Sequence, residues 1–406
     1  MFVNEFPALS ETFVLNQITG LIDLGHDVTV LATRPRGEAL AHADVRDYGL
    51  RALTVYQGMP RSRLTRLWHL PRLLGQARRS DGQSPLALLN AFAYGREASS
   101  LNLLHWAARL RHLGAFDVVH CHFGIVGRVA AILREAGALH GQLAVSFHGV
   151  DMSASLVRSP HLYRRLFEQG ELFMPVSDYW RGRLVELGCD PAKIRVHRMG
   201  VDPLRFPFRL RRRKATEPIT ILSIGRLVEK KGIEYGLRAV AALADLRMPI
   251  RYVIVGDGPL RGGLSLLARE LGIAHSVEFA GWRTQDEIAA QMRSSDVLLA
   301  PSVTARGGDQ EGIPVTLMEA MASGLPVISS RHSGIPELIH DGHEGRLCAE
   351  RDVAGLSAAL RDITGDPAHA MHLALAARAK IESGYDIWTL NRQLEQSYYD
   401  LVGRRS

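Results

Sequence analysis

Cysteine is scarce in this sequence, with only three residues among 406, Cys121, Cys189 and Cys348. They stand far apart and show none of the paired spacings typical of disulfide frameworks or zinc sites, so we expect reduced, buried thiols. Long apolar runs are also missing, since none approaches the roughly 18 residues that a membrane-spanning helix needs. The start of the chain has no basic region followed by an apolar stretch, so the sequence predicts a cytoplasmic protein.

Acidic residues are in deficit, with 42 Asp and Glu against 49 Lys and Arg and a net charge of +7. A basic chain suits a partner that carries phosphate, which could be nucleic acid, anionic lipid or a nucleotide, and charge alone does not choose among them. With 46% apolar and 22% charged residues, the composition is that of a globular protein. Its length predicts two domains, each with its own core.

Short apolar runs separated by helix-length segments organise the first half of the chain. They predict strands at 2–3, 28–31, 118–119, 143–147, 172–176 and 194–196. A helix is predicted to start at an N-cap, Ser10, and to stop at Gly25. Apolar runs without polar alternation are typical of a parallel sheet covered on both faces. The run at Phe2-Val3 is short for the first strand of such a sheet.

A second series of the same kind predicts strands at 219–224, 252–255, 277–279, 297–300 and 327–328. The α/β fold class is therefore expected twice, as two doubly wound domains. We place the first domain at 1–202 and the second at 215–385. The segment 203–214, with two prolines and a basic cluster, is interpreted as the linker, and 386–406 is periodic enough for a terminal helix.

The segment 311–326 suits anion binding. We expect a helix to begin near Gly312, with Pro314 in its first turn and Gly324 at its end. Such a helix would point its free N–H groups at whatever lies beside the strand tips. The donors left free would be the N–H groups of Gly312, Ile313 and Val315.

Two acidic residues flank this predicted anion site. Glu311 lies just before the helix, and Glu319 lies about two turns along it. Carboxylates on opposite sides of a phosphate site suit the binding of sugar hydroxyls. They do not suit a glycosidase pair, whose carboxyl groups must face one carbon.

A second candidate element follows the strand at 219–224, where Gly225 precedes Arg226 and Lys231. Ligands of open α/β sheets bind at the carboxyl ends of strands, so these two cations are candidates for phosphate neutralisation. The alternative is a solvated loop in which Glu229 pairs with a lysine. Gly256 marks another strand-to-helix turn, which is a weak signal alone because any tight turn can use glycine.

Six segments carry a resemblance: 225–232, 256–259 and 311–326 in the second half, and 6–13, 147–151 and 199–202 in the first. The second-half segments resemble the donor domain of family four of the retaining glycosyltransferases. The first-half segments resemble the subgroup that assembles bacterial exopolysaccharides such as colanic acid. The resemblance implies a GT-B fold, with two Rossmann-like domains facing a cleft and the C-terminal helix returning to the first domain.

The activity implied by this resemblance is the retaining transfer of a hexose-type sugar from a nucleotide diphosphate sugar to a lipid-linked oligosaccharide or another glycan. The nucleotide sugar is then a substrate, and neither a cofactor nor a metal is expected. The expected partners are the donor, the acceptor and an anionic membrane surface, but no nucleic acid. The implied location is the cytoplasm, with a peripheral place on the inner face of the cell membrane as an alternative.

The resemblance also implies roles for single residues. Arg226 and Lys231 match the pair that neutralises the leaving diphosphate. Glu311 matches the acid that contacts the donor sugar, and Glu319 the acid that holds the ribose hydroxyls. His148, at a strand end in the first half, matches the histidine beside the donor sugar, while the alternative is a core histidine.

Further residues follow with weaker support. Gly225, Gly256 and Ser10 lie in turns at the strand tips, where we expect donor contacts; relatives often have a glycine pair where this chain has Ser10. Asp151 and His122 are predicted to lie on the acceptor side. No Asp-x-Asp metal motif follows a strand. In a strand, His120 and His122 would share a face without a third ligand, so we predict no metal site there.

The segment 61–81 holds six arginines against one aspartate, interspersed with leucines and a tryptophan. This mixture suits a helix on a membrane surface, but an amphipathic helix packed on the first domain would show it equally. Two other functions are weighed: transfer to a soluble acceptor, and nucleotide-sugar binding without catalysis. Loss of Glu311, Arg226 or Lys231 would favour the second, and all three are present.

Overall fold

The computed structural model describes residues 1–8, 11–35, 43–77, 85–157, 159, 161–210, 217–243 and 249–403. Two six-stranded sheets, parallel throughout, organise the chain. The first has the order β3-β2-β1-β4-β5-β6 and the second β12-β11-β10-β7-β8-β9. Both orders are those of the Rossmann fold, so the predicted pair of doubly wound domains is confirmed.

The first domain contains β1 (Phe2–Phe6), β2 (Val30–Pro35), β3 (Thr54–Tyr56), β4 (Val118–His122), β5 (Gln142–Phe147) and β6 (Leu172–Pro175). Its helices are α1 (Thr12–Asp23), α2 (Ala43–Asp47), α3 (Arg63–Trp68), α4 (Leu70–Ala77), α5 (Ala91–Tyr94), α6 (Arg96–Ser99), α7 (Asn102–Leu110), α8 (Gly124–Glu135), α9 (Ala154–Val157), α10 (Arg164–Gln169) and α11 (Asp178–Glu186).

The second domain contains β7 (Ile219–Ile224), β8 (Ile250–Val255), β9 (Val277–Gly281), β10 (Val297–Ala300), β11 (Val327–Ser330) and β12 (Arg346–Cys348). Its helices are α12 (Ile233–Ala241), α13 (Arg261–Glu270), α14 (Gln285–Ser294), α15 (Val315–Ser323), α16 (Ile335–Leu338), α17 (Val353–Gly365) and α18 (Pro367–Gly384), and the chain ends with α19 (Ile387–Gly403). No helix among the described residues is long and apolar enough to span a bilayer.

Several predicted elements need correction. The first strand is not a stub, because β1 has five residues and pairs with β2 and β4. The strand predicted at 194–196 is reduced to a single bridge between Ile194 and Phe173. Helix α1 begins at Thr12 with Glu11 at the N-cap position, where Ser10 was predicted.

The C-terminal helix α19 returns to the first domain, as predicted. Its Leu394 and Leu401 are buried with Leu21 of α1 and Ala144 of β5. The fit is tight, since a Cβ on Gly20 would lie 1.8 Å from the side chain of Asn391. Helix α19 therefore completes the core of a domain whose other elements come from the start of the chain.

The chain crosses between the domains twice, and the two crossings lie side by side. The backbone N–H of Val201 donates to Tyr385 O at 3.0 Å, and that of Ile387 donates to Val201 O at 3.0 Å. Gly200 allows this approach, because a Cβ there would lie 2.8 Å from Tyr385 O. The crossings thus form one short hydrogen-bonded joint.

Candidate active site

Two glycine turns of the second domain bring the loops after β7 and β8 into contact. Gly225 and Gly256 have φ of +152° and +123°, in the region that favours glycine. A Cβ on Gly256 would lie 2.0 Å from Gly225 O, so no other residue fits there. The loop that carries Arg226 is therefore held at the carboxyl end of the sheet, while a direct donor contact of either glycine stays a prediction.

The two cations predicted to face the diphosphate differ in their surroundings. Arg226 is exposed and has no ion-pair or hydrogen-bond partner among the described residues. Lys231 Nζ lies 3.2 Å from Glu311 Oε1, and Lys230 Nζ lies 3.8 Å from the same oxygen. Arg226 thus keeps its charge free, and Lys231 shares its charge with Glu311.

Glu311 remains ionised despite its burial. Burial alone would raise the pKa of this carboxyl, but the charges of Lys231 and Lys230 outweigh it and hold the pKa below its ordinary value. Lys230 also contacts Asp309 at 3.1 Å. This second lysine was not among the predicted site residues, although it is adjacent to Lys231 in the sequence.

The helix behind the predicted anion site starts later than expected. Helix α15 begins at Val315, with Pro314 at the N-cap position, and ends at Gly324 with φ +84°. Gly312 and Ile313 belong to the buried loop before it. Among the described residues, none accepts the N–H groups of Gly312, Ile313 or Val315. The donors are therefore spread over loop and helix rather than one helical turn.

Glu319 lies in the second turn of α15 and is 6% exposed. Burial raises its pKa to about 7. Within the described part of the chain, this carboxyl group has neither an ion-pair nor a hydrogen-bond partner. Glu311 is ionised and paired with lysines, whereas burial moves the pKa of Glu319 into the neutral range, so the two acids have different electrostatic environments.

A chain of hydrogen bonds supports Glu311 from behind, and sequence analysis missed it. The backbone N–H of Glu311 donates to His332 Nε2 at 3.1 Å. His332 Nδ1 must then carry the proton that it donates to Glu350 Oε1 at 2.6 Å. Glu350 also accepts from the N–H and hydroxyl of Thr304. Because His332 and Glu350 each follow a strand by two residues, their position at the sheet edge was the available signal.

His148 lies at the carboxyl end of β5, behind the loop of Glu311. Burial, and then repulsion from His197, lower its pKa to about 3, so the ring is neutral. Its Nε2 lies 3.1 Å from His122 Nδ1, while its Nδ1 is buried without a partner in the described part of the chain. His148 therefore has one ring nitrogen, the buried Nδ1, without a hydrogen bond to the described residues.

His122 lies one layer further inside than predicted. It is 0% exposed and stacks between His148 and His120, at ring distances of 5.3 and 4.7 Å. His120 in turn contacts Tyr398 Oη of α19 at 2.6 Å. The row of histidines thus links the cleft to the returning helix, and a contact of His122 with an acceptor stays a prediction.

The carboxylate of Asp151 holds two segments of backbone in place. Its Oδ2 accepts the N–H of Gly124 at the start of α8 at 2.8 Å, and its Oδ1 accepts that of His148 at 3.0 Å. Burial raises its pKa to about 6, although these N–H donors oppose the shift. Asp151 is 1% exposed and fixes the loop that presents His148. Its predicted contact with an acceptor is untested.

The two domains touch at the cleft through a pair of glycines. A Cβ on Gly149 would lie 2.7 Å from Gly312 N, and one on Gly312 would lie 2.7 Å from His148 O. Nearby, the N–H of Gln310 donates to Ser153 Oγ at 3.2 Å. The loops that follow β5 and β10 therefore face each other, with His148 beside Glu311.

A second contact between the domains lies at the start of α11. The carboxylate of Glu337, from the second domain, accepts the backbone N–H groups of Asp178 and Tyr179 at 3.0 and 2.9 Å. Ser10 lies outside the described residues. In the part of the chain that the structure describes, no three His, Cys, Asp or Glu side chains cluster in a way that could hold a metal.

Together these features define a class of protein. Two Rossmann-like domains face each other across a cleft, with a free cation, a lysine–glutamate pair and a second buried acid on one side and a neutral histidine on the other. This is the arrangement of a GT-B glycosyltransferase.

Comparison with known families identifies the chain within this class. Residues 10–200 match the glycosyl transferase 4-like domain, and residues 207–380 match glycosyl transferases group 1. The putative colanic acid biosynthesis glycosyltransferase WcaL of Salmonella typhimurium is 39% identical over 399 residues, 97% of each chain. The amylovoran biosynthesis glycosyltransferase AmsK of Erwinia amylovora is 38% identical over 404 residues, again 97% of each chain. The chain belongs to the group 1 glycosyltransferases.

Solved structures show the same fold. Sucrose-phosphate synthase from Thermosynechococcus elongatus has a TM-score of 0.72 at 17% identity, and each chain is covered completely. Anabaena HepE, solved in complex with UDP-glucose, has a TM-score of 0.71 at 16% identity, covering 98% of each chain. The expected GT-B architecture is confirmed.

Proposed function

We propose that this glycosyltransferase moves a hexose-type sugar from a nucleoside diphosphate sugar to a lipid-linked glycan in exopolysaccharide assembly. The observation that carries the proposal is that Arg226, without a partner among the described residues, shares the loop after β7 with Lys231, which pairs with Glu311. The 97% coverage of WcaL and AmsK, whose names refer to colanic acid and amylovoran, supports the exopolysaccharide setting. HepE, which binds UDP-glucose, supports the nucleotide sugar.

The proposed chemistry follows from the charges at the cleft. Cleavage of the sugar–phosphate bond places negative charge on the leaving diphosphate, and a preorganised cation stabilises that charge. Arg226 has its charge uncommitted for this task, and Lys231 adds to it. These two side chains supply the positive charge for which other enzymes use a divalent ion, so we propose a metal-independent reaction.

The acids and the histidine hold the sugar and the nucleoside. The contact of Lys231 with Glu311 at 3.2 Å means that a diphosphate on the lysine brings its sugar hydroxyls to the carboxylate. His148, neutral because its pKa is about 3, can bond a hydroxyl without adding charge near the anomeric carbon. Glu319 is proposed to bind the ribose. Retention of the anomeric configuration is proposed from the resemblance to family four.

Residues 78–81 of the arginine-rich segment 61–81 lie outside the described residues, and its first part is proposed to rest on the anionic inner face of the membrane. Helix α3 buries no residue, and its Leu64 and Trp68 are 79% and 84% exposed. Helix α4 instead packs on α7 and buries Leu73. These exposures support the packing interpretation for α4 and lead us to propose the membrane contact for α3 alone.

The proposal is tested with a panel of nucleoside diphosphate sugars, without acceptor and with a chelator present. Slow release of one sugar in its original anomeric form, detected by NMR, is the expected result. Arg226→Ala should lower the turnover rate by about 10²–10³, as loss of one stabilising group does. Glu319→Ala should chiefly raise the donor KM, because ribose contacts are shared by ground and transition states.

Three results would contradict the proposal. Tight donor binding without turnover, even with membrane extracts added as acceptor source, would indicate a binding protein. Activity lost to the chelator would contradict the metal-independent reaction. Loss of turnover at saturating donor in Glu319→Ala, combined with a change in KM alone in Arg226→Ala, would reverse the roles of the two residues.

A further inference from the structure

A cavity of about 270 Å³ lies in the first domain, outside the site described above. It opens on the sheet face beside the carboxyl ends of β1 and β2, where Asn4 is exposed although its strand is central. Helices α3, α6, α7 and α8 form its other walls. Because a side chain in the middle of a central strand is exposed here, none of the described helices packs directly over this point of the sheet.

Positive charge dominates the lining of this cavity. Among the described residues that line it, Arg34, Arg66 and Arg96 carry positive charge, against one acidic residue, Glu97. Glu97 is already neutralised, because its Oε1 accepts from Arg128 at 2.9 Å. In the described part of the cavity wall, the three arginines therefore have no free carboxylate to balance them.

One of the three arginines is fixed in place. Arg66 donates to the carbonyl oxygens of Pro60 at 2.6 Å and of Ser100 and Arg61 at 3.3 Å, which orient its guanidinium without removing its charge. Arg34 and Arg96 are exposed and have no partner among the described residues. A fixed cation with two adjustable ones is a suitable arrangement for an oxyanion.

The cavity adjoins the cleft on one side. Ile125, in the first turn of α8, lines the cavity, and the ring of Phe123, two residues earlier, lies 4.7 Å from the His148 ring. On the other side, α3 contributes Arg66 to the cavity and exposes Leu64 and Trp68. The cavity therefore lies between the proposed reaction centre and the proposed membrane-facing helix.

We infer that this cavity binds an anionic oxygen group of the acceptor, either the phosphate of a lipid carrier or the carboxylate of an acidic sugar. The inference rests on the proposed function, because it assigns the acceptor to this side of the cleft. The three arginines would hold the anion so that the attached glycan reaches toward His148. The acceptor is thereby assigned to the class of anionic glycans or glycolipids.

The test measures binding alone, without donor or transfer, so that it stays separate from the proposed reaction. Pyrophosphate, farnesyl diphosphate in detergent micelles and glucuronate are titrated by calorimetry into an Arg226→Ala background, which weakens the donor phosphate site. The cavity variant adds Arg34→Gln and Arg96→Gln. The control variant instead adds Arg51→Gln and Arg181→Gln, which remove the same charge from exposed positions outside the cavity.

At least one probe should bind the background protein, and the cavity variant should weaken it by about tenfold or more, as expected for lost charge-assisted hydrogen bonds. The control should change it by less than about twofold. Preference for the diphosphates would identify the lipid carrier as the source of the anion, and preference for glucuronate would identify a sugar acid. If no probe binds, or if both variants bind equally well, the inference is wrong.

Discussion

Replacing Lys231 with methionine should separate the structural and chemical tasks of the cleft. The substitution keeps an unbranched apolar side chain, one heavy atom shorter, and removes the charge that lies 3.2 Å from Glu311. Glu311 would stay buried, with only Lys230 at 3.8 Å to compensate its charge. A buried carboxylate that loses its partner is costly, so Lys231→Met should destabilise the second domain.

The magnitude follows from the burial of the pair. Side-chain exposures of 19% for Lys231 and 11% for Glu311 place it between a surface pair and a fully buried one. Surface pairs contribute about 0–1 kcal/mol, and removing one partner of a buried pair costs about 3–5 kcal/mol. Because Lys230 remains nearby, we expect Lys231→Met to lower the free energy of unfolding by about 2 kcal/mol.

Urea denaturation of a double-mutant cycle measures this effect. Glu311→Gln added to Lys231→Met should recover about 1–2 kcal/mol, since the uncompensated charge is gone. Arg226→Met is the matched control. Arg226 has no side-chain partner in the described part of the chain, so the free energy of unfolding should change by less than about 0.5 kcal/mol while turnover still falls. If Lys231→Met is as stable as the wild type, or the second substitution recovers nothing, the pair does not stabilise the cleft.

Three further perturbations test other contacts. Gly149→Ala would place a Cβ 2.7 Å from a backbone nitrogen of the second domain and should hold the cleft open, raising the donor KM roughly tenfold. Gly188→Ala, also at positive φ but with open space around it, is the control. If small-angle scattering gives the two variants equal radii of gyration, Gly149→Ala does not hold the cleft open. Because burial raises the pKa of Glu319 from 4.5 to about 7, wild-type stability should fall by up to about 3 kcal/mol as pH rises through that window. Glu319→Gln should lack this loss. In urea denaturation the variant should therefore be more stable than the wild type at about pH 8 and no more stable near pH 4. A stability difference that does not depend on pH would refute the raised pKa of Glu319. Charge reversal at Arg63 of α3 should weaken sedimentation with anionic liposomes by about 1 kcal/mol, and unchanged sedimentation would remove the proposed membrane role of α3.

The sequence predicted best those strands that are buried on both faces. The predicted bounds of β7 and β10 agree with those in the structure. Unbroken apolar runs of this length are typical of strands buried on both faces of a parallel sheet. Strands β3 and β12 were missed. Each has three residues and lies at the edge of its sheet. An edge strand pairs with only one other strand, and the apolar run in its sequence is correspondingly short.

The candidate site was predicted as a set of residues but not as a set of contacts. Arg226, Lys231 and Glu311 were recognisable from their places after strands, yet nothing in the spacing showed that Lys231 pairs with Glu311. The support of Glu311 by His332 and Glu350 was invisible for the same reason, since it joins the ends of β11 and β12 to another loop. Distances between side chains on different strands depend on twist and packing, which a linear pattern does not contain.

The joint between the two domains limits how such proteins can recombine. Since the chain passes from the first domain at Val201 and returns at Ile387, a foreign donor domain can be exchanged only by cutting at both positions. A single crossover near residue 202 would replace α19 by the foreign chain's terminal helix, so the packing on Leu21 and the contact of His120 with Tyr398 would have to be formed by unmatched side chains. New donor specificity by shuffling therefore requires a double crossover, whereas point changes around Glu311 and Glu319 require none.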